Sequence, residues 1–373
     1  MSSTSRAVLG WISAIAAVFV FATYILAMGV AVLLVTISQL ASELMASSGR
    51  PVLGAFYIYS RYTAFPVSVT LSLLAFACIF IFVICFAEGF RSRDGFFSSL
   101  KRLAKVGRLT SSSNWLISMP LISSGLIIVV LIATFVLSQA GIPPGSLCDP
   151  SINKCPTQAQ LFAGLAYAPI GEELAYRIIT PLALIIPLRI LLRNISQPLS
   201  LSRLLRFLSV VGLSLLSPER AKEKMGYLTV SRNGWRGFHW LEWIFIVVSS
   251  VLFGLAHVES GGGTNWGAGK VVTAAISGFV IAIVYVAYGA YAAILLHWFF
   301  DFYFEVAIVG GSTFGGLFSL LPYVFSLTAL IVGALSLLVA IAWVMRKVKR
   351  KIIARESPTT YKIPEPEAWP IQA

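Results

Sequence analysis

Ionisable residues are scarce in this chain: charged side chains make up 12% of 373 residues, and there are three histidines. A soluble domain has roughly a quarter of its residues charged, so that class is excluded. Cysteine is scarce too, at four, with no Cys-x-x-Cys pair and no Cys/His knuckle to hold a structural metal. There is no Gly-x-Ser-Gly, no Gly-x-Gly-Asp and no His-Glu-x-x-His. Their absence removes an intramembrane serine nucleophile, an aspartyl pair and a close-spaced zinc pair. Gly261–Lys270 resembles a phosphate loop only superficially, because Thr264 stands where glycine is required and Val271 follows Lys270. No internal repeat and no soluble domain is visible.

Apolar residues are abundant, at 58% with a mean hydropathy of +0.86. They fall into runs long enough to cross a bilayer, each about 20 residues or more. The expected spans cover 8–37, 65–88, 115–139, 158–192, 239–257, 270–288, 290–309 and 316–345, which predicts an all-α polytopic membrane helix bundle of about eight transmembrane helices. A net charge of +13 raises the question of nucleic acid, but no base- or phosphate-reading motif accompanies it. Lys and Arg instead gather in alternate connections, 89–113, 193–238 and the stretch after 345, as the positive-inside rule expects. The expectation is an integral protein of the cell membrane with both termini cytoplasmic and membrane lipid as its surroundings. Residues 38–64 are expected as a loop. The leucine- and arginine-bearing stretch 199–216 fits a helix in the interface or a packing element of the bundle. Cys78 and Cys85 read as inert packing. Cys148 and Cys155 bracket a short polar loop and would form a disulfide if that loop faces an oxidising compartment. Asn194-Ile195-Ser196 matches a glycosylation sequon, expected to be accidental on the cytoplasmic side.

Within the fourth run stands Gly171-Glu172-Glu173-Leu174-Ala175-Tyr176-Arg177. A single charge at a bilayer centre costs at least about 2.5–3.5 kcal/mol, so something must hold these three. Glu173 and Arg177 are four apart and share a helix face, where they can pair. Glu172 points roughly 100° away from Glu173 and is left to face something else, which we read as a catalytic water. Pro181 is expected to kink or break the helix. His239 sits at a span boundary, whereas His257 and His297 fall in apolar runs, with Asp301 and Glu305 following His297 at helical spacing. At about 1.5 Å per residue, Glu172, His257 and His297 lie at depths of roughly 12, 20 and 16 Å from the cytoplasmic ends of their cores. They scatter around the midplane and are able to converge.

Glu-Glu-x-x-x-Arg at 172–177, Phe-x-x-x-His at 253–257 and His-x-x-x-Asp at 297–301, in that order on successive apolar segments, resemble the CPBP family of intramembrane proteases. That family includes the type II CaaX prenyl endopeptidases and bacteriocin-processing and self-immunity proteins. The resemblance covers about 158–309, a catalytic core. Around it lie an N-terminal three-span segment (1–157), a last transmembrane helix (310–345) and a basic, then disordered cytoplasmic tail (346–373). The resemblance implies hydrolysis of a peptide bond inside the membrane. Glu172 would be the general base, His257 would hold and polarise the water, Glu173 and Arg177 would be the supporting pair, and His297 with Asp301 would stabilise the oxyanion.

One residue departs from the pattern. Many members carry Asn at the last position, and an Asn amide can donate to an oxyanion, whereas an ionised Asp301 cannot. Three readings stay open: Asp301 is neutral, or it orients His297, or Glu172, His257, His297 and Asp301 hold a zinc ion. The metal-free reading is favoured, with no cofactor, because no close-spaced ligand pair is present. The substrate would be a peptide or protein, either a prenylated C-terminal Ca-a-X peptide or a secreted or membrane-anchored one. The sequence does not speak to oligomeric state. Two other functions compete. A proton- or ion-coupled transporter would use the same intramembrane groups, but no inverted repeat supports it. A non-catalytic scaffold retaining the protease fold is the other.

Overall fold

The computed structural model of the chain describes residues 3–49, 52–58, 61–66, 69–107, 109–110, 112–146, 155–193, 200–259 and 265–356. Eight helical segments among them are long and apolar enough to cross a bilayer: Val8–Ile37, Leu71–Arg91, Trp115–Gln139, Gln158–Leu192, Trp240–Val258, Ala268–Tyr288, Ala290–Phe314 and Gly316–Arg346. The molecule is an all-α polytopic bundle and an integral membrane protein. The sequon at 194–196, the glycine-rich 260–264, Cys148 and the chain from 357 onward lie outside the described residues. Cys155 is disulfide-bonded.

The second span begins at Leu71, six residues later than expected, because the preceding segment is not a loop. Val52–Ile58 pairs antiparallel with Arg61–Pro66, and Ser48–Gly49 pairs with Val69–Thr70. Valine, tyrosine, phenylalanine and threonine are common in this stretch, and such residues favour the pleated backbone. Thr70 then caps the helix, its hydroxyl accepting from Leu73 N at 3.2 Å.

The seventh span is the hub: 72% of its most apolar window is buried, against 17% for the third span and 22% for the eighth. Lipid is as apolar as leucine, so spans associate through close packing and interhelical hydrogen bonds. The first helix, Ser3–Ile37, shows both devices. Ala17, Val20, Tyr24, Ala27, Ala31 and Leu34 form a buried seam, while Trp11, Ile12, Ile15 and Phe19 face outward. Along that seam Tyr24 Oη meets Ser123 Oγ at 2.9 Å, and Thr23 Oγ1 meets Tyr303 Oη at 2.7 Å. The third and eighth spans touch backbone to backbone, since a Cβ on Gly333 would lie 2.2 Å from the Ser124 carbonyl oxygen.

The fourth span positions the acidic motif and is built in three pieces. Gln158–Glu173 opens with a capping box, Gln160 N donating to Thr157 Oγ1 (3.2 Å) and Thr157 N to Gln160 Oε1 (3.0 Å). A single π-helical turn, Leu174–Ile178, follows. The chain breaks at Ile179 and Thr180, and Pro181 opens the next helix, Pro181–Arg193. The helix thus breaks at Pro181, one of the two outcomes expected, and Pro181 opens the new helix, where its missing N–H removes no bond. Leu201–Leu216 combines both readings of its sequence. Val210 and Ser214 are buried in the bundle, while Leu201, Leu204, Leu205 and Leu208 remain exposed.

Candidate active site

The Glu173–Arg177 pair forms as helical spacing predicts, Arg177 Nη1 donating to Glu173 Oε1 at 3.0 Å with both side chains fully buried. Arg177 is held from two further sides. Its Nη2 donates to the Gly278 carbonyl at 3.2 Å, and its guanidinium carbon lies 4.3 Å from the centre of the Phe253 ring. Gly278 makes that approach possible: a Cβ there would stand 2.9 Å from both Arg177 Nη2 and Phe253 Cδ1. Glu173 Oε1 also takes the Nδ1 of His297 at 2.8 Å. The same carboxylate thus joins the fourth span to the seventh, a long-range contact no local pattern announces.

The other nitrogen of His297, Nε2, lies 3.0 Å from Asp301 Oδ2 and 3.6 Å from Glu172 Oε2. Asp301 sits in a second π-helical turn, Phe299–Tyr303. Such turns cluster at functional positions because the extra residue re-aims side chains. Of the three sequence readings of Asp301, the geometry matches the one in which it orients His297. A ring with a carboxylate oxygen at each nitrogen satisfies both by donating twice, as an imidazolium does. That leaves His297 no lone pair for a metal, so the set Glu172, His257, His297 and Asp301 does not fit zinc as it is disposed. Among the described residues no group of three or more His, Cys, Asp or Glu is arranged to hold a metal ion. Glu305 makes no hydrogen bond or ion pair among the described residues, and the cluster closes without it.

Glu172 is the contrasting carboxylate. Its side chain keeps 34% of its exposure, yet Oε2 itself is buried and has no hydrogen-bond partner among the described residues. The Tyr167 hydroxyl is likewise buried without a partner. Its ring lies across Gly171, where a Cβ would stand 2.5 Å from Tyr167 Cζ. Sequence reasoning missed Tyr167 and Gly278; the signal available for Tyr167 was a glycine four residues on, directly before the two glutamates.

His257 is half-buried, and its Nδ1 lies 2.8 Å from the Phe253 carbonyl. A carbonyl only accepts, so Nδ1 carries the proton and Nε2 of the neutral ring is left as an acceptor. No hydrogen bond joins His257 to Glu172, His297 or Asp301. The link is Phe253, whose ring meets His257 edge-on at 4.8 Å and His297 at 5.6 Å, with Tyr176 at 5.5 Å. A cavity of about 530 Å³ lined by Ile37, Ser38, Gln39, Glu43, Gln158 and Thr313, among others, lies at the ends of the first, fourth and seventh spans. None of the site residues lines it.

Fold and cluster together define a polytopic membrane protein with a carboxylate–imidazole centre enclosed by its spans. Residues 156–303 match the family model for type II CAAX prenyl endopeptidase Rce1-like proteins, which supports a CPBP-family membrane protease over that segment. No curated protein and no solved structure matches the chain.

Proposed function

We propose that the chain is an intramembrane endopeptidase in which Glu172 activates water. The observation carrying this reading is the unpartnered Glu172 Oε2, 3.6 Å from the His297 ring nitrogen. A buried acceptor requires a donor, and a water held there loses its proton to the carboxylate as its oxygen attacks the scissile carbonyl. His257 accepts the water's second hydrogen at Nε2 and fixes its direction. The positive ring of His297 stabilises the oxyanion, and Asp301 holds that ring in place. The C–N bond then breaks as Glu172 returns its proton to the leaving amine. Glu173 and Arg177 position His297 from below. Low dielectric around the cluster strengthens each of these preorganised interactions.

The reaction is assigned as metal-free because both His297 nitrogens face carboxylates. The family description supplies the substrate class: membrane-associated peptides or proteins, of which a prenylated C-terminal peptide is one. The distribution of Lys and Arg supports a cell-membrane protein with both termini cytoplasmic. Incubating purified protein with prenylated and unprenylated peptides, with and without chelator, and reading products by mass spectrometry tests the proposal. Chelator-resistant cleavage is the expected result. No cleavage of any peptide would return the carrier or scaffold reading, and chelator-sensitive cleavage would return the metal.

A further inference from the structure

A tetrahedral intermediate is stabilised most by donor hydrogens aimed at its oxyanion. On the protease reading, on which this inference rests, the imidazoles and carboxylates assigned so far have none to give. His297 directs Nδ1 at Glu173 Oε1 (2.8 Å) and Nε2 at Asp301 Oδ2 (3.0 Å), so it contributes charge alone. His257 directs its single N–H at the Phe253 carbonyl. Ionised carboxylates at 172 and 301 only accept.

Three donors without a hydrogen-bond partner among the described residues lie close in sequence to these groups, and burial separates them. Arg177 Nε is enclosed with the rest of its side chain, which has no exposure. Trp298 Nε1 belongs to a ring packed among Tyr24, Phe82, Phe86 and Tyr303, also with none. Tyr167 differs: its side chain is partly exposed, while its hydroxyl is buried and unpartnered. Glu172 has the same combination, a partly exposed side chain ending in a buried, unpartnered oxygen.

The backbone brings these two residues together. Tyr167 and Gly171 are four apart and share one face of Gln158–Glu173. The phenol lies across the glycine: a Cβ on Gly171 would stand 2.5, 2.7 and 2.7 Å from Tyr167 Cζ, Cε1 and Oη. Any side chain at 171 would push the ring aside, so glycine lets the hydroxyl rest against the residue preceding Glu172. The Glu172 carboxylate is near enough to act on that hydroxyl electrostatically. A phenol ordinarily titrates near about 10 and keeps its hydrogen at neutral pH. The pair therefore offers an acceptor for water and a donor for a carbonyl oxygen, side by side.

We propose that Tyr167 is a further catalytic residue, the hydrogen-bond donor to the oxyanion. As the water oxygen bonds to the scissile carbonyl carbon, Glu172 takes the water's proton. The carbonyl π pair moves onto oxygen, where the Tyr167 O–H donates to it. When that pair returns, the C–N bond breaks, Glu172 protonates the leaving amine, and the tyrosine has kept its proton throughout. His297 supplies charge to the oxyanion and Tyr167 the hydrogen bond.

Steady-state kinetics on the purified full chain test this, using whichever prenylated or unprenylated peptide the wild type cleaves. Tyr167→Phe keeps the ring and removes only the donor. The expected result is a kcat lower by about 10²–10³-fold with KM little changed. The unfolding midpoint should hold or rise, because the hydroxyl removed is buried without a partner among the described residues. An aldehyde made from the same peptide forms a tetrahedral hydrate and should lose affinity for the variant by a similar factor, which a loosened ring alone would not produce. Gly171→Ala displaces the same hydroxyl and should lower kcat too; it carries the test if Tyr167→Phe misfolds. Wild-type kcat and aldehyde affinity in a folded Tyr167→Phe protein would overturn the inference and leave the protease reading standing. A raised KM with kcat unchanged would overturn it as well, making Tyr167 a substrate contact. A wild-type protein inert toward every peptide would overturn both readings.

Discussion

Lys222–Glu242 and Glu173–Arg177 are both ion pairs withdrawn from solvent, one beside the basic connections and one at mid-depth among the spans. The first is complete. Lys222 Nζ donates to Glu242 Oε2 at 2.8 Å and to the Gly237 carbonyl at 2.9 Å, and Glu242 Oε2 also accepts from His239 N at 2.8 Å. Neither residue leaves a buried side-chain atom unpartnered among the described residues. The second is incomplete: Glu173 Oε2, Arg177 Nε and the adjacent Glu172 Oε2 all lack a hydrogen-bond partner among the described residues. Burying a polar group unpaired is expensive. A fold that tolerates three together while finishing another pair nearby has left capacity at that spot for something to bind. On the proposed function, the difference separates an ion pair that staples a boundary from one that supports chemistry.

The comparison can be broken by substitution. Arg177→Met should have the largest structural effect, about 3–5 kcal/mol lost on unfolding in detergent, because the buried Glu173 loses its guanidinium and keeps only His297 as a partner. Lys222→Met should lose a similar amount for the same reason. The pairs diverge on repair. Lys222→Met with Glu242→Leu should recover stability and keep cleavage per folded molecule, since a packed apolar pair replaces a finished ion pair with little loss. Glu173→Leu with Arg177→Met should recover stability alone, because His297 loses its anchor. Thermal unfolding alongside peptide cleavage reads both.

Gly278→Ala should cost less, about 1–3 kcal/mol, by pushing the new methyl against Arg177 and Phe253; its mark is reduced turnover with the fold retained. Smallest is Arg220→Ala. Its pair with Glu88 (2.6 Å) is exposed at 57% and 37%, so after screening about 0.2–1 kcal/mol is the most it should lose. A larger loss in unfolding midpoint would show that burial is not what ranks these pairs.

The sequence exposed much of this design. Apolar runs located all eight spans, since span length is set by bilayer thickness. Helical spacing paired Glu173 with Arg177 and set Asp301 beside His297. What stayed hidden depends on contacts distant in the chain. The 2.8 Å bond from His297 to Glu173 crosses two spans. The π turns at Leu174–Ile178 and Phe299–Tyr303 are written in no residue pattern, being compromises between local hydrogen bonding and side-chain aim. Pro181, by contrast, announced the break at Ile179 and Thr180, since a proline cannot continue the helix that precedes it. The strands at 52–66 were expected as a loop, because a single short hairpin between two spans has too little alternation to stand out from a connection.

The central claim is that two neighbouring carboxylates have separate duties, Glu172 chemical and Glu173 structural. Cleavage and thermal unfolding measured together on purified Glu172→Gln test it most directly. The account predicts a loss of about 10²–10⁴-fold in cleavage rate with the unfolding midpoint held or raised. Cleavage at the wild-type rate by a folded Glu172→Gln protein would contradict it.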